Sequence, residues 1–298
     1  MNLLEKNGSG KMQEMYKKYK RLLFKLAYQL TGSVSDAEDV VHDVFIKLYE
    51  VPPEKLAEPK AYLCKMVTNR CHDLQKSARK KREQYFGEWL PEPLSNSQED
   101  SMDSVIREDE LSYGILVLLE KLTPTERVVF VLREALSFEY QEIAEIIQKS
   151  EANCRKIFSR AKAKMGIDAE EEVHLEAVSQ DLVHDFIIGL KNGNLNQVIS
   201  MLDHNVVLVS DGGGKVTAAV EPIETRDNVA EFLFGPVRRA SMVEGVSHIE
   251  ISQINGQPAL ILRSNEGIHT VGMIHVEKNM IRNIYIVRNP DKLKHVRI

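Results

Sequence analysis

The side chains best arranged for specific chemistry lie between Leu122 and Met165. Cys154, Ile157, Phe158, Ala161 and Met165 are spaced 0, 3, 4, 7 and 11, which is one apolar stripe of a helix. Asn153, Arg155, Lys156, Ser159, Arg160 and Lys162 then share the other face. Such a face can read DNA. Arginine donates two hydrogen bonds to guanine, asparagine pairs with adenine, and lysine neutralises phosphate with help from the helix N-terminus. Upstream, Ile143, Ala144, Ile146 and Ile147 form a second stripe from about Tyr140, and Gln148-Lys149-Ser150 is short enough for a tight turn. Two helices joined this way form a helix-turn-helix, with Asn153, Arg155, Lys156, Ser159 and Arg160 as the contacting residues. The alternative is a solvated basic face on an ordinary helical hairpin.

A second basic cluster, Lys76, Arg79, Lys80, Lys81 and Arg82, follows Asn69, Arg70 and Asp73. Positive charge clustered this way suits a local phosphate-binding surface, and a solvated helix end is the alternative. Acids gather at Asp36, Glu38, Asp39 and Asp43. Asp39 and Asp43, one turn apart, share a face, whereas Asp36 and Glu38 sit early enough in the helix to be favoured by its dipole alone. Toward the C-terminus, Asp203, His204, Asp211, His269 and His275 offer acid/base groups, but no spacing marks them for catalysis and none is assigned a catalytic role. Cys64, Cys71 and Cys154 form an odd, sparse set without metal-ligand spacing. No metal and no cofactor are expected.

These groups need elements to position them. The chain has 298 residues and 43% hydrophobic residues, enough for two or three domains with real cores. No window supplies the ~18 apolar residues of a membrane helix, and the N-terminus lacks a secretory pattern, so a cytoplasmic protein with no membrane partner is expected. The net charge of −5 speaks mildly against nucleic acid, but the charges are segregated and the basic faces are local. Residues 11–84 read as a bundle of three helices: Leu23 to Leu30, then Val40 to Leu48 after a Ser35-x-x-Glu38 capping box, then Leu63 to Leu74 after Pro59. Residues 85–110 read as an acidic, Pro-bearing linker, except that Trp89-Leu90-Pro91-Glu92-Pro93-Leu94 is apolar enough either to dock or to cover the bundle's end. Residues 111–166 hold the helix-turn-helix, introduced by the helix start Thr123-Pro124-Thr125-Glu126. Residues 173–298 open with a helix carrying Leu175, Val178, Leu182, Phe186 and Leu190. Strand patterns follow at 206–210, 216–220, 249–254, 259–263, 269–276 and 281–287, with a helix near 226–234. The fold class expected is therefore two all-α domains plus an α+β domain with a curved antiparallel sheet.

Leu122-Thr123-Pro124-x-Glu126-Arg127-x-Val129-Phe130, Glu142-Ile143-Ala144 and Ser159-Arg160-Ala161 resemble region 4 of bacterial RNA polymerase sigma factors. Asp36-Ala37-Glu38-Asp39-Val40-Val41-x-Asp43-Val44-Phe45 resembles their region 2. Both occur in order with no region between them, the architecture of the extracytoplasmic-function (ECF) type. Trp89 to Leu94, Asp211-Gly212-Gly213-Gly214 and Asn289-Pro290-Asp291-Lys292-Leu293 are similar to short motifs of the ECF41, or SigJ-like, subgroup, which adds a SnoaL-like, NTF2-type cone domain.

The resemblance implies a transcription initiation factor whose partners are promoter DNA and core RNA polymerase, through its β′ clamp and β flap. It assigns polymerase contact to Asp36, Glu38, Asp39, Asp43 and Phe45. It assigns the −10 element to Asn69, Arg70, Asp73, Lys76 and Arg79, and the −35 element to Asn153, Arg155, Lys156, Ser159 and Arg160. It makes Trp89, Asp211, Gly212, Gly213, Gly214, Asn289, Pro290, Asp291, Lys292 and Leu293 interdomain regulatory contacts. A small ligand in the C-terminal cone is a further expectation, because such folds enclose pockets. The competing readings are a helix-turn-helix regulator with a ligand-binding effector domain, and an enzyme using the C-terminal acids and histidines.

Overall fold

The computed structural model describes residues 3–52, 56, 58–95, 111–167, 180–240 and 248–297. The chain divides into two compact units, Met1–Lys81 with Leu118–Val173, and Arg82–Val117 with His174–Ile298.

The first unit is helical. α1 (Leu3–Thr31), α2 (Val34–Leu48) and α3 (Pro59–Glu83) follow the predicted periodicity. Leu23, Leu26 and Leu30 of α1 are buried with Val40, Val44 and Leu48 of α2 and Leu63 and Val67 of α3. Gly32, at φ 69, ends α1 in a left-handed turn that a β-carbon would strain. The N-cap of α2 is Ser33, not the expected Ser35. Ser33 alone has the extended backbone a cap needs, and its hydroxyl accepts the Asp36 N–H at 3.2 Å.

α4 (Tyr113–Leu119), α5 (Pro124–Phe130), α6 (Tyr140–Ile147) and α7 (Glu151–Met165) come next. The Thr123 hydroxyl accepts the Glu126 N–H at 3.4 Å, and Glu126 Oε2 accepts the Thr123 N–H at 2.9 Å, completing the capping box of α5. α5 runs on as a π-helical turn, Val131–Ala135, whose buried Val131, Leu132 and Ala135 extend the core stripe. Gln148, in the left-handed region at φ 55, makes the turn into α7. Ser150 then caps α7, accepting the Asn153 N–H at 3.3 Å.

The second unit is α+β. Its elements are α8 (Gln180–Lys191), α9 (Leu195–Met201), β1 (Leu202–Asp211), β2 (Ile223–Glu224), α10 (Arg226–Ala240), β3 (His248–Ile254), β4 (Gln257–Ser264), β5 (Gly267–Glu277), β6 (Met280–Val287) and α11 (Pro290–Leu293). Leu175 and Val178, expected at the start of the opening helix, lie outside the described residues. The sheet order is β2-β1-β6-β5-β4-β3. It is mixed, not wholly antiparallel as expected, because β1 and β6 pair in parallel. The hairpins through β3–β6 return the chain alongside β1 in the same direction, and such a pairing needs a crossover, which α10 provides. Residues 216–220, expected to be a strand, are irregular. Val216 and Val220 are exposed and so have no buried face to line up, and β2 pairs with β1 instead. Register shifts within β4–β5 and β5–β6 bend the sheet around Phe186, Ile187, Leu233 and Phe234 of α8 and α10.

Candidate nucleic-acid face and linker clasp

α7 buries Cys154, Ile157, Ala161 and Met165, while Phe158 rests against Phe130 and Tyr140 with centroids 5.9 and 6.0 Å away. That packing turns Arg155, Lys156, Ser159 and Arg160 to solvent, with Asn153 half-buried at the first turn. Lys162, expected on the same face, is buried instead: one turn beyond Phe158 and beside Ala161 and Met165, its stem joins the apolar stripe. Arg155 is not a free arm. Its guanidinium contacts Glu151 at 2.5 Å and lies 4.3 Å from the centre of the Tyr140 ring, which Arg133 also approaches, at 4.9 Å.

In the first bundle Glu38 and Asp39 are exposed and Asp36 is half-buried. Asp43 Oδ2 accepts from both Nε and Nη2 of Arg70 at 2.8 Å, so a residue expected at the polymerase and one expected at the −10 element hold each other. The pair is more than a third exposed on each side, so it orients the two side chains and contributes little stability. Phe45, expected as a contact, is a core residue instead: it is buried, edge-on to Tyr16 at 4.8 Å, because it continues the Val41–Leu48 stripe. Ile46 and Tyr49 were not expected, yet they are 53% and 69% exposed beyond the acids of the same helix. Their signal in the sequence was apolar type at positions off the stripe. Asn69 and Asp73 are exposed one turn apart on α3. The side chains of Lys76 and Arg79 lie outside the described residues, as do those of Lys80, Lys81 and Arg82.

In the second unit the three motif segments converge on one carboxylate. Asp211, at the end of β1, is fully buried. Its Oδ1 accepts from the Tyr85 hydroxyl at 2.6 Å and the Gly213 N–H at 3.0 Å. Its Oδ2 accepts from the Leu90 N–H at 2.9 Å and the Lys292 ammonium at 2.6 Å. Lys292 also donates to the Leu90 carbonyl at 2.5 Å and lies 4.1 Å from the centre of the Trp89 ring and 4.9 Å from that of Tyr85. Burial and the bond to Asp211 push the Tyr85 phenol well above its ordinary range. Asn289 caps α11 through the Asp291 N–H, donates to the Tyr85 oxygen at 2.8 Å, and faces the α-carbon of Gly213 so closely that a β-carbon there would overlap its amide. Lys215 and Lys294 both bond to Asp291 and hold its carboxyl down at about 2. Farther along, Leu94 and Asn255 exchange backbone and side-chain bonds of 2.8 and 3.1 Å, and Ser95 bridges to Ile254. Residues 85–95 are therefore pinned onto the second unit. Tyr85 was missed by sequence reasoning because it follows the basic run and belongs to no motif there.

The acid/base groups of the enzyme reading are dispersed. Asp203 pairs with Arg282 at 2.5 Å, Asp211 sits in the clasp, His275 packs against Gly114, and of the five only His269 lines the large cavity of this unit. Among the described residues no group of three or more His, Cys, Asp or Glu could hold a metal ion, and no helix is long and apolar enough to cross a membrane.

Residues 15–82 match the sigma-70 region 2 family, and residues 114–165 match the sigma-70 region 4 family. The ECF RNA polymerase sigma factor SigJ of Mycobacterium tuberculosis is 29% identical over 91% of this chain and 89% of its own length. A probable ECF sigma factor of that organism, SigI, is 27% identical over 95% of this chain and 94% of its own. The crystal structure of SigJ superposes with a TM-score of 0.75 at 26% identity, covering 94% of this chain and 97% of that one. This chain is a SigJ-like ECF sigma factor. α2 and α3 accordingly belong to sigma region 2, and α5, α6 and α7 to region 4. The sigma factor's Arg127, buried in region 4, donates to the Leu30 carbonyl of region 2 at 3.0 Å and to Glu120 at 2.8 Å.

Proposed function

We propose that this sigma factor works in the cytoplasm, binds core RNA polymerase through the exposed acids and the Ile46–Tyr49 end of α2, and touches the β′ clamp there and the β flap through region 4. In this reading α3 and the basic run after it capture the melted −10 element, and α7 reads the −35 element. The observation that carries the reading is the solvent-facing set Arg155, Lys156, Ser159 and Arg160 at the front of a capped second helix of a helix-turn-helix. The −10 and −35 elements lie about 25 base pairs, or ~85 Å, apart on DNA. Reading both at once requires regions 2 and 4 to part, which breaks the Arg127–Leu30 bond.

The second unit acts as the built-in regulator, and residues 85–95 are its handle. Holding them at Asp211 restrains the chain that leaves region 2, and releasing them frees it.

Run-off transcription with purified core polymerase tests both parts. The full chain is expected to start transcripts at its own promoter with no other sigma present. Lys292→Met, and removal of residues 289–298, are expected to change the yield while both sigma regions stay folded. Initiation that needs a second sigma factor would instead favour a helix-turn-helix regulator. Unchanged yield in both variants would remove the regulatory role.

A further inference from the structure

Between the concave face of the sheet and helices α8 and α10 lies a cavity of about 1570 Å³. Its walls are apolar, with Leu260, Ile274, Ile284 and Ile286 on the sheet side and Phe186 and Leu233 on the helices. Drug-sized ligand sites run to roughly 300–1,000 Å³, so the space is ample for an extended or polycyclic molecule.

Two residues make this more than a gap left by packing. Gly272 lies mid-strand in β5 on the cavity face, between Thr270 and Ile274. Its φ is ordinary, and a β-carbon there would meet nothing closer than Leu260 Cβ at 3.5 Å, an ordinary contact. Neither backbone nor packing demands glycine, although glycine in a strand is less stable than alanine. What the missing side chain does supply is depth in the concave wall.

The second residue is Arg288, which follows Ile284 and Ile286 on the same face of the chain. It is half-buried, and its guanidinium donates to the Thr217 carbonyl, which fixes it at the cavity's edge. Among the described residues no carboxylate lies within ion-pair distance of it. Thr270, on the neighbouring strand, adds a buried hydroxyl to the same end. The other charges on the lining, Lys191, Asp227, Glu231 and Glu266, are exposed and screened by solvent.

We propose that this cavity binds an amphipathic organic acid, its hydrocarbon against the Phe186–Ile284 walls above Gly272 and its anionic head on Arg288. The proposal deepens the regulatory reading by giving the class of signal, and binding is measured without transcription, so either can fail alone.

The test is calorimetric titration of the full chain with decanoate and, separately, with 1-decanol. Saturable one-to-one binding of decanoate is expected, with decanol at least tenfold weaker. Gly272→Leu, which fills the floor, should weaken decanoate at least tenfold. Gly272→Ala, the milder change, keeps this arm readable if the leucine variant does not fold, and should weaken decanoate measurably. Arg288→Gln should weaken decanoate about tenfold and leave decanol unchanged, since a hydrogen bond to a charged group is lost. No saturable binding overturns the proposal, as does decanoate affinity indifferent to the Gly272 variants. Decanol binding as tightly as decanoate, or Arg288→Gln without effect, overturns the assignment of an anion.

Discussion

The carboxylate of Asp211 and the ammonium of Lys292 stand 2.6 Å apart, with the aspartate side chain fully buried and the lysine 7% exposed. Burying two such ions costs several kcal/mol each, repaid only when their remaining hydrogen-bonding capacity is met. Here much of it is met from one segment. Two of the four donors to Asp211 come from Tyr85 and Leu90, and two of the partners of Lys292 are the Leu90 carbonyl and the Trp89 ring. The pair has all of these partners only while residues 85–90 are seated against it.

Removing one member should therefore hurt more than a surface change. Asp211→Ala strands a buried ammonium and is expected to lower unfolding free energy by roughly 3–5 kcal/mol. Lys292→Met leaves Asp211 with the donors Tyr85, Leu90 and Gly213 and keeps an apolar stem under Trp89, so the loss should be smaller. Urea unfolding followed by Trp89 fluorescence reads both, because Trp89 is the chain's one tryptophan and lies against Lys292. Midpoints equal to wild type for Asp211→Ala would show that the pair is not the anchor.

The glycines of the adjoining turn make a finer test. Gly213 and Gly214 both have positive φ, 59 and 69, so alanine at either is strained by ~1–2 kcal/mol. Only at Gly213 does the new β-carbon fall on the Asn289 amide, whose partner is Tyr85. At Gly214 it meets Phe86 Cβ at 3.2 Å, a tight contact that a shift of a few tenths of an ångström at exposed Phe86 relieves. Gly213→Ala should therefore destabilise more than Gly214→Ala and shift the Trp89 emission, and the reverse order would contradict the geometry.

Much of this was legible in the sequence, and the reasons differ by element. The stripe of α7 and the capping box at Thr123 are local patterns, and the structure builds both as read. Ser33 took the cap expected of Ser35 because capping depends on backbone conformation, which residue type alone does not specify. The parallel pairing of β1 with β6 joins segments more than seventy residues apart, and no short-range pattern encodes such a partner. Lys162 went astray by one helical position, where a stripe's edge decides between core and solvent, whereas Phe45 was on the stripe as read and its contact role came from the resemblance alone. Asp211, Asn289 and Lys292 were visible only as separate motifs, and Tyr85 not at all, because a buried charge network shows itself when its members meet in space.

The Tyr85 hydroxyl makes the clasp sensitive to alkali. An ordinary phenol ionises near pH 10. In the folded chain burial and the bond to Asp211 hold the proton well above that. A folded value above the unfolded one contributes stability that is complete below about pH 10 and is lost as pH rises from there toward the folded value. Buried Tyr285 is raised in the same sense by its burial. Urea midpoints measured from pH 8 to 11 should fall toward the alkaline end, and more shallowly in Tyr85→Phe. Parallel curves for the two proteins would show that Tyr85 does not contribute.

On the α7 face the expected roles separate by salt. Lys156 is a flexible point charge suited to phosphate, so Lys156→Ala should weaken binding to all duplexes alike and reduce the salt slope by about 1. Arg155 has the fork geometry for a guanine edge, and its pairing with Glu151 and Tyr140 places it before DNA arrives. Arg155→Ala is expected to cost ~1–3 kcal/mol on the cognate promoter and to relax selectivity at one base pair, with little change on unrelated DNA. Glu151→Gln is the complementary variant. It removes the carboxylate that holds Arg155 and a negative charge that would face phosphate, so affinity for unrelated DNA should rise while selectivity falls. Fluorescence anisotropy with a library of single-position promoter variants at two salt concentrations distinguishes these outcomes. Uniform weakening by Arg155→Ala across the library would make Arg155 another phosphate contact and move base reading to Asn153, Ser159 or Arg160.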